Sequence, residues 1–523
     1  MTLPLKSYSS LLVRYLRPQR GRVLVLGLLL AGSIGLQLAS PQIVRSFIDQ
    51  AQAGAPRRTL LAAAGLFLLF ALLQQVVAVL ATYMSENVGW TATNELRNDL
   101  AAHCLRLDLS FHKARTPGEI IERIDGDVNA LSNFFSQFVV GLLSNFLLLG
   151  GVLVLLGRED WRIGLAVTAF AVGALLVLVR IRAVAEPHWN DVRERSALFF
   201  GFLGEQLAGT EDVRANGATG YVMRRFYEHL QAWLPVNRRA SLWGYSMWMT
   251  TIGTFAVGNA VAFGLGAYLW STGAITIGTV YLVFHYTSML RHPVEQLRSQ
   301  LQDLQQAGAS IGRVQELFGV RSKLETGRGM PLPVGALDVQ FEDVTFGYED
   351  ETVLDHVSFR LRPGRVLGLL GRTGSGKTTL ARLLLRLYDP TGGAVCLGGV
   401  RLADAGLADV RARVGIVTQD VQLFNASVRD NLSFFDRTVD DGRIMAALEE
   451  LGLAEWCRGL PEGLDTELEA GGGGLSAGEA QLLAFARLFL ADPGLVILDE
   501  ASARLDPATE RLIERAFEKV LQG

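Results

Sequence analysis

Cysteine is scarce in this chain of 523 residues, which has only Cys104, Cys396 and Cys457. The three lie far apart and share no metal-ligand spacing, which argues against a disulfide framework and for reduced thiols. Basic charge is not in excess: 49 Lys and Arg stand against 52 Asp and Glu, a net charge of -3. Without a positive field, and without a basic patch interleaved with aromatics, a nucleic-acid partner is not expected. Histidine is rare too, and none of the seven follows His356.

What the chain has in quantity is apolar sequence. Hydrophobic residues make up 50% of it, and most of the excess precedes Pro293. The length exceeds one ordinary domain. Six stretches, 23–48, 60–84, 134–156, 163–184, 247–270 and 275–297, approach the roughly 20 residues that a helix needs to cross a bilayer. They predict an all-α membrane domain of six transmembrane helices over residues 1–317. The first stretch is too long, and followed by too many others, to be a removable signal peptide. The mixture of basic, aromatic and aliphatic residues over 5–17 predicts an amphipathic helix at the membrane interface.

The connections differ in kind. Residues 157–162 and 271–274 are short, whereas 85–132 and 185–246 are long, polar and helical in period. Arg97, Arg106, Lys113, Arg115, Arg123, Arg193, Arg195, Arg214, Arg224, Arg225, Arg238 and Arg239 fall in the long connections. This positive-inside bias puts those connections in the cytoplasm, with Arg57 and Arg58 a minor exception on the other side. Glycine and proline then interrupt residues 318–336, a linker. Beyond it, residues 337–523 read as an α/β domain, with alternating strands at 337–346 and 353–361 and buried parallel strands at 366–370 and 495–498.

That second domain carries chemistry. Gly371, Arg372, Thr373, Gly374, Ser375, Gly376, Lys377 and Thr378 form a complete G-x-x-x-x-G-K-T phosphate loop between an apolar run and a helix that opens at Thr379. Glycines let backbone N–H groups close around phosphate oxygens, Lys377 supplies a point charge, and the Thr378 hydroxyl suits Mg²⁺. The helix N-terminus adds its dipole. The chain therefore binds a nucleoside triphosphate. Downstream, Leu495-Val-Ile-Leu-Asp499-Glu500 delivers two acids to the carboxyl end of a strand, where open α/β sheets bind ligands. Asp499 belongs in the Mg²⁺ shell, and Glu500 is the catalytic carboxylate that orients the attacking water.

Between these motifs, Leu475-Ser-Ala-Gly-Glu479 follows a glycine run and opens another helix. Here the chain resembles the ATP-binding cassette (ABC) family, whose signature is L-S-G-G-Q; Leu475, Ser476 and Gly478 match, while Ala477 and Glu479 depart from it. The resemblance implies that Ser476 and Gly478 face an ATP held by a second cassette, so one chain must pair. It further implies that Tyr348 stacks on adenine, that Gln419 senses Mg²⁺, and that Asp506 lies in an acidic loop crossing the dimer interface. Six spans before one cassette resemble a type IV exporter half, and residues 111–128 and 205–226 resemble its two cytoplasmic loops. The cofactors implied are ATP and Mg²⁺.

Two departures carry expectations. Family members have a histidine beyond the Asp-Glu pair, so the chain ending at Gly523 is expected to be truncated and impaired in hydrolysis. The family's Gly-Glu before the signature is here Glu469-Ala470, which alters a loop that senses the opposing membrane domain. An intact Glu500 beside an altered signature favours a heterodimer over a homodimer. The implied function is ATP-driven export of an amphipathic small molecule, lipid or peptide from a bacterial inner or plasma membrane. The alternative is a non-transporting ATP-dependent sensor. With no domain before the first span and no cysteine before Cys104, a fused leader peptidase is not expected. The glycosylation-like triplets at Asn425 and Asn431 are read as chance matches.

Overall fold

The computed structural model describes residues 13–133, 139–324, 329–349, 351–419, 421–469 and 475–499, together with 514 and 518. The chain divides into two compact units, one of residues 1–104 and 118–319 and the other of residues 105–117 and 320–523.

The first unit is helical. Helices α1 (Arg20–Gln52) and α2 (Arg57–Arg106) precede the short helices α3 (Leu109–Lys113), α4 (Pro117–Ile121) and α5 (Asp127–Asn133), of which α3 belongs to the second unit. Then come α6 (Val139–Glu159), α7 (Trp161–Ala208), α8 (Thr210–Ala215), α9 (Thr219–Ser271), α10 (Ile277–Met289) and α11 (Arg291–Gly319). A shared core joins α6, α7, α9 and α10 through Val152, Leu156, Ile163, Leu178, Leu269, Leu282 and Tyr286. By contrast Leu61, Leu68, Leu72, Val76 and Val79 of α2 are exposed. A helix that is apolar all round and yet uncovered suits lipid, where its backbone groups are satisfied within the helix.

Five helices are long and apolar enough to span a bilayer among the described residues. The sixth apolar stretch is divided: α10 has 13 residues and passes through Leu290 into α11. Pro293 lacks the N–H that would bond to the carbonyl of Met289, so a continuous helix loses a rung there. The long connections are rods continuous with the spans, since α2, α7 and α9 run 50, 48 and 53 residues. At the start of α5, buried Asp127 accepts both an Nε bond at 2.9 Å and an Nη2 bond from Arg313 of α11. Of the expected interfacial helix, residues 13–16 are helical and 5–12 lie outside the described residues.

In the second unit β1 (Val339–Tyr348) and β2 (Glu351–Leu361) pair antiparallel, and β3 (Gly392–Leu397) and β4 (Val400–Arg401) complete a sheet of order β2-β1-β3-β4. Between them lies α12 (Lys377–Leu384). Next come α13 (Leu407–Arg413), β5 (Val414–Val417), β6 (Ala426–Ser427), α14 (Val428–Ser433), α15 (Asp441–Glu450), α16 (Ala454–Gly459), β7 (Glu467–Leu468), α17 (Ala477–Ala491) and β8 (Leu495–Leu498). β5 and β8 pair in parallel with Val417 opposite Leu498. One apolar core lies under the first sheet, with Val339, Phe341, Leu383 and Leu397, and another surrounds α17, with Phe485, Leu448 and Leu482.

Two strand expectations need correction. Residues 366–370 form no strand, and Val366, Leu367, Leu369 and Leu370 are exposed, Leu370 by 98%. A strand exists only through its ladder, and no described segment pairs with this run, so apolar composition alone does not make it one. Residues 495–498 do form a parallel strand, but a half-buried one, because β5 is its partner on one edge alone among the described residues.

The cysteines are free, with Cys104 and Cys457 buried. Burial pushes the Cys396 and Cys457 thiols above their ordinary range, which favours the protonated form. Asn431 is fully buried, and its side chain bonds to Phe424, Ala426 and Ser427 backbone groups, so it offers no amide for glycosylation.

Candidate functional site

The phosphate loop is built by glycines that no other residue replaces. Gly374 and Gly376 have φ of 86° and 88°, the left-handed region that side chains resist. A Cβ on Gly376 would also stand 2.8 Å from Leu354. The loop closes through Ser375 N–H donating to the Arg372 carbonyl at 3.1 Å. Lys377 reaches back across it, its ammonium donating to the Gly371 carbonyl at 2.7 Å and the Arg372 carbonyl at 3.1 Å. Gly376 is the N-cap of α12 and has no side chain with which to satisfy the first N–H groups of that helix. Those donors remain directed at whatever anion the loop holds.

The Thr378 hydroxyl donates to Asp499 Oδ1 at 3.5 Å. Asp499 N–H donates to the Val417 carbonyl at 3.0 Å, which continues the β5–β8 ladder and fixes the acid at the carboxyl end of the pair. Gln419 follows β5 and is exposed at the same end. A hydroxyl and a carboxylate converging on one point are hard oxygen donors that fit Mg²⁺, which takes few protein ligands and completes its shell with phosphate and water. No group of three or more His, Cys, Asp or Glu residues able to hold a metal occurs among the described residues. Glu500 and Asp506 lie outside the described residues.

Tyr348 ends β1 beside the loop. Its phenol oxygen lies 3.3 Å from the hydroxyl of buried Thr379 and accepts from Arg382 at 2.9 Å. Sequence reasoning missed Arg382, although it stands three residues after Thr379 and hence on the same helix face.

At the signature, Ser476 is the N-cap of α17 and Glu479 closes a capping box. Glu479 N–H donates to Ser476 Oγ at 3.2 Å, while Glu479 Oε2 accepts from the Ser476 N–H at 2.8 Å and hydroxyl at 2.9 Å. The departure from L-S-G-G-Q is therefore not silent: a carboxylate of the chain itself occupies the donors that an anion would use. Gly478 is buried in the first turn behind it. Among the described residues no hydrogen bond joins Ser476 or Gly478 to the phosphate loop.

Asp108 shows the same device used for anchoring. It caps α3, accepting from the Ser110 and Phe111 N–H groups and the Ser110 hydroxyl, and also accepts from the Lys323 N–H. Burial opposes its charge, but these four donors together hold its carboxyl below the usual range.

A glycine-built phosphate loop, a carboxylate aimed at its threonine, and uncovered apolar helices in the same chain define a membrane-embedded nucleotide-driven transporter. Residues 23–294 match the family model of the ABC transporter transmembrane region and residues 354–503 that of the ABC transporter. This chain belongs to the ABC transporter family. It is 30% identical over 521 residues to "Uncharacterized ABC transporter ATP-binding protein YknV" of Bacillus subtilis, covering 98% of this chain and 85% of that protein. It is 29% identical to "ATP-dependent lipid A-core flippase" of Burkholderia orbicola, covering 97% and 86%. A structure titled "Structure of a bacterial Atm1-family ABC exporter with ATP bound" superposes with a TM-score of 0.77 at 26% identity, covering 96% of this chain and 89% of that one. The protein is accordingly an integral membrane ATPase whose cassette binds and hydrolyses ATP in the cytoplasm to drive export.

Proposed function

We propose that this chain is one half of a dimeric exporter, with residues 1–317 as membrane domain, 318–336 as linker and 337–523 as cassette, moving an amphipathic small molecule, lipid or peptide outward by alternating access. The observation that carries this reading is the convergence of Lys377, Thr378 and Asp499 at a phosphate loop in a chain whose apolar helices continue as rods beyond the span length. Gly371, Arg372, Thr373, Gly374, Ser375 and Gly376 cradle the triphosphate, Thr378, Gln419 and Asp499 hold Mg²⁺, Glu500 polarises the attacking water, and Tyr348 carries the base. The metal supplies charge neutralisation for the leaving phosphate. Ser476, Gly478 and Asp506 serve the nucleotide of the opposing cassette.

Dimer closure on ATP and its release after hydrolysis would bias the spans between two states. Glu479 occupying the Ser476 donors supports a heterodimer, in which this signature serves the weaker of two composite sites. The relatives named above include a lipid flippase, which supports an amphipathic, lipid-like cargo. The test is ATP-dependent movement of a fluorescent lipid or dye across vesicles holding the chain, beside Glu500→Gln. Flux in the wild type alone supports the exporter. ATP binding and hydrolysis without flux of any cargo would make it a sensor.

A further inference from the structure

The ring of Tyr348 is enclosed largely by the cassette's own sequence. Arg382 holds its phenol oxygen at 2.9 Å and stands 6.0 Å from the ring centroid. Phe346 and Tyr388 meet it edge-on at 5.1 and 5.3 Å. One contact comes from elsewhere in the chain. The ammonium of Lys113 lies over the ring, 5.5 Å from its centroid, and Lys113 ends the helix Leu109–Lys113, which interrupts the long connection between the second and third apolar stretches.

That helix is not a loose visitor. Asp108 caps it and takes the Lys323 N–H, which ties it to the chain leading into β1. Leu109 packs against the same apolar cluster as Tyr348. Lys113 is thus delivered from a fixed base, while its own side chain is exposed and flexible. A cation within about 6 Å of a ring centroid is held by the negative face of the ring. A purine base also stacks on the face of an aromatic ring.

We propose that Lys113 is a positioning residue for the nucleotide: its ammonium and the purine base compete for the face of Tyr348. Base stacking and the placement of residues 105–117 then form one equilibrium, and because this segment is continuous with α2 on one side and α4 on the other, occupancy of the base site is registered in chain that leads directly to the spans. The inference rests on the assignment of Tyr348 to the base made above.

The test compares binding of ATP with binding of tripolyphosphate, which has the phosphates and no base, to the full chain and to Lys113→Met, Lys113→Arg and Tyr348→Leu. Displacing an exposed cation from a ring corresponds to a change of about two- to fivefold in affinity. Lys113→Met is expected to tighten ATP by that factor and leave tripolyphosphate unchanged. Lys113→Arg, which keeps the cation, should behave as wild type, and Tyr348→Leu should weaken ATP and abolish the effect of adding Lys113→Met. Equal shifts for ATP and tripolyphosphate, or none for either, overturn the competition. Wild-type binding of tripolyphosphate as tight as that of ATP, with Tyr348→Leu silent, overturns the base-site assignment itself.

Discussion

The cassette contains two helix starts suited to anions, and they are finished differently. At α12 the cap is Gly376, no side chain answers the first N–H groups, and Lys377 adds a positive charge. At α17 the cap is Ser476, and Glu479 answers its hydroxyl and N–H with a carboxylate. One start is left open to a ligand, whereas the other carries its own anion. The same helix dipole thus serves binding in the first case and folding in the second. In the dimer proposed above, each nucleotide would meet the open start of one cassette and the filled start of the other, so pairing with a different chain would make the two composite sites unequal.

The largest expected effects lie at the open start. Lys377→Ala removes the charge that reaches across the loop and should lower ATPase activity by about 10²- to 10³-fold, the scale on which a preorganised charge stabilises a transition state. Activity close to wild type in a coupled ATPase assay would break the comparison, since the open start would then not be the working one. Glu500→Gln should lower the hydrolytic rate by about 10²- to 10⁴-fold while ATP still binds. A parallel loss of binding would show that the acid shapes the site rather than activating water.

The filled start should respond in the opposite direction. Glu479→Gln keeps a residue able to close a capping box but removes the negative charge that competes with phosphate. Charged hydrogen bonds are worth about 1.5–3 kcal/mol, part of which the neutral amide retains, so ATPase activity should rise by roughly three- to tenfold, with little change in thermal stability. Unchanged or lower activity would mean that the capping box opens freely and that the two starts differ only in appearance.

Much of this was legible in the residues and some of it was not. The phosphate loop could be read because its glycines are needed for backbone reasons that hold in any context, and Gly374 and Gly376 adopt the positive φ that those reasons require. The rod α7 was visible as an apolar stretch followed by a polar helical period, and α9 as the same two parts in reverse order. The run at 366–370 misled because composition reports what a segment could bury, not whether a neighbour exists to pair with it. Glu479 was legible as a departure, yet its consequence depended on a rotamer that brings Oε2 to Ser476. Lys113 and Arg382 were invisible as neighbours of Tyr348, since they lie 235 and 34 residues away in sequence and meet only through the fold.

The smallest expected effect concerns Asp108, an acid at a third helix start, which holds chain rather than ligand. Because its carboxyl is held below the usual range, its contribution to stability is present above the unfolded-state value of about 4 and is lost as pH falls through the lower folded value. Asp108→Asn keeps a capping oxygen but loses the charge, so the cassette should be destabilised by about 1 kcal/mol at neutral pH. The difference in unfolding midpoint between wild type and variant should shrink as pH is lowered from about 5 towards 3. A gap that stays constant with pH would assign the role of Asp108 to shape alone. Its charge would then share nothing with that of Glu479, and the division of helix starts into those that bind and those that anchor would rest on Ser476 and Gly376 by themselves.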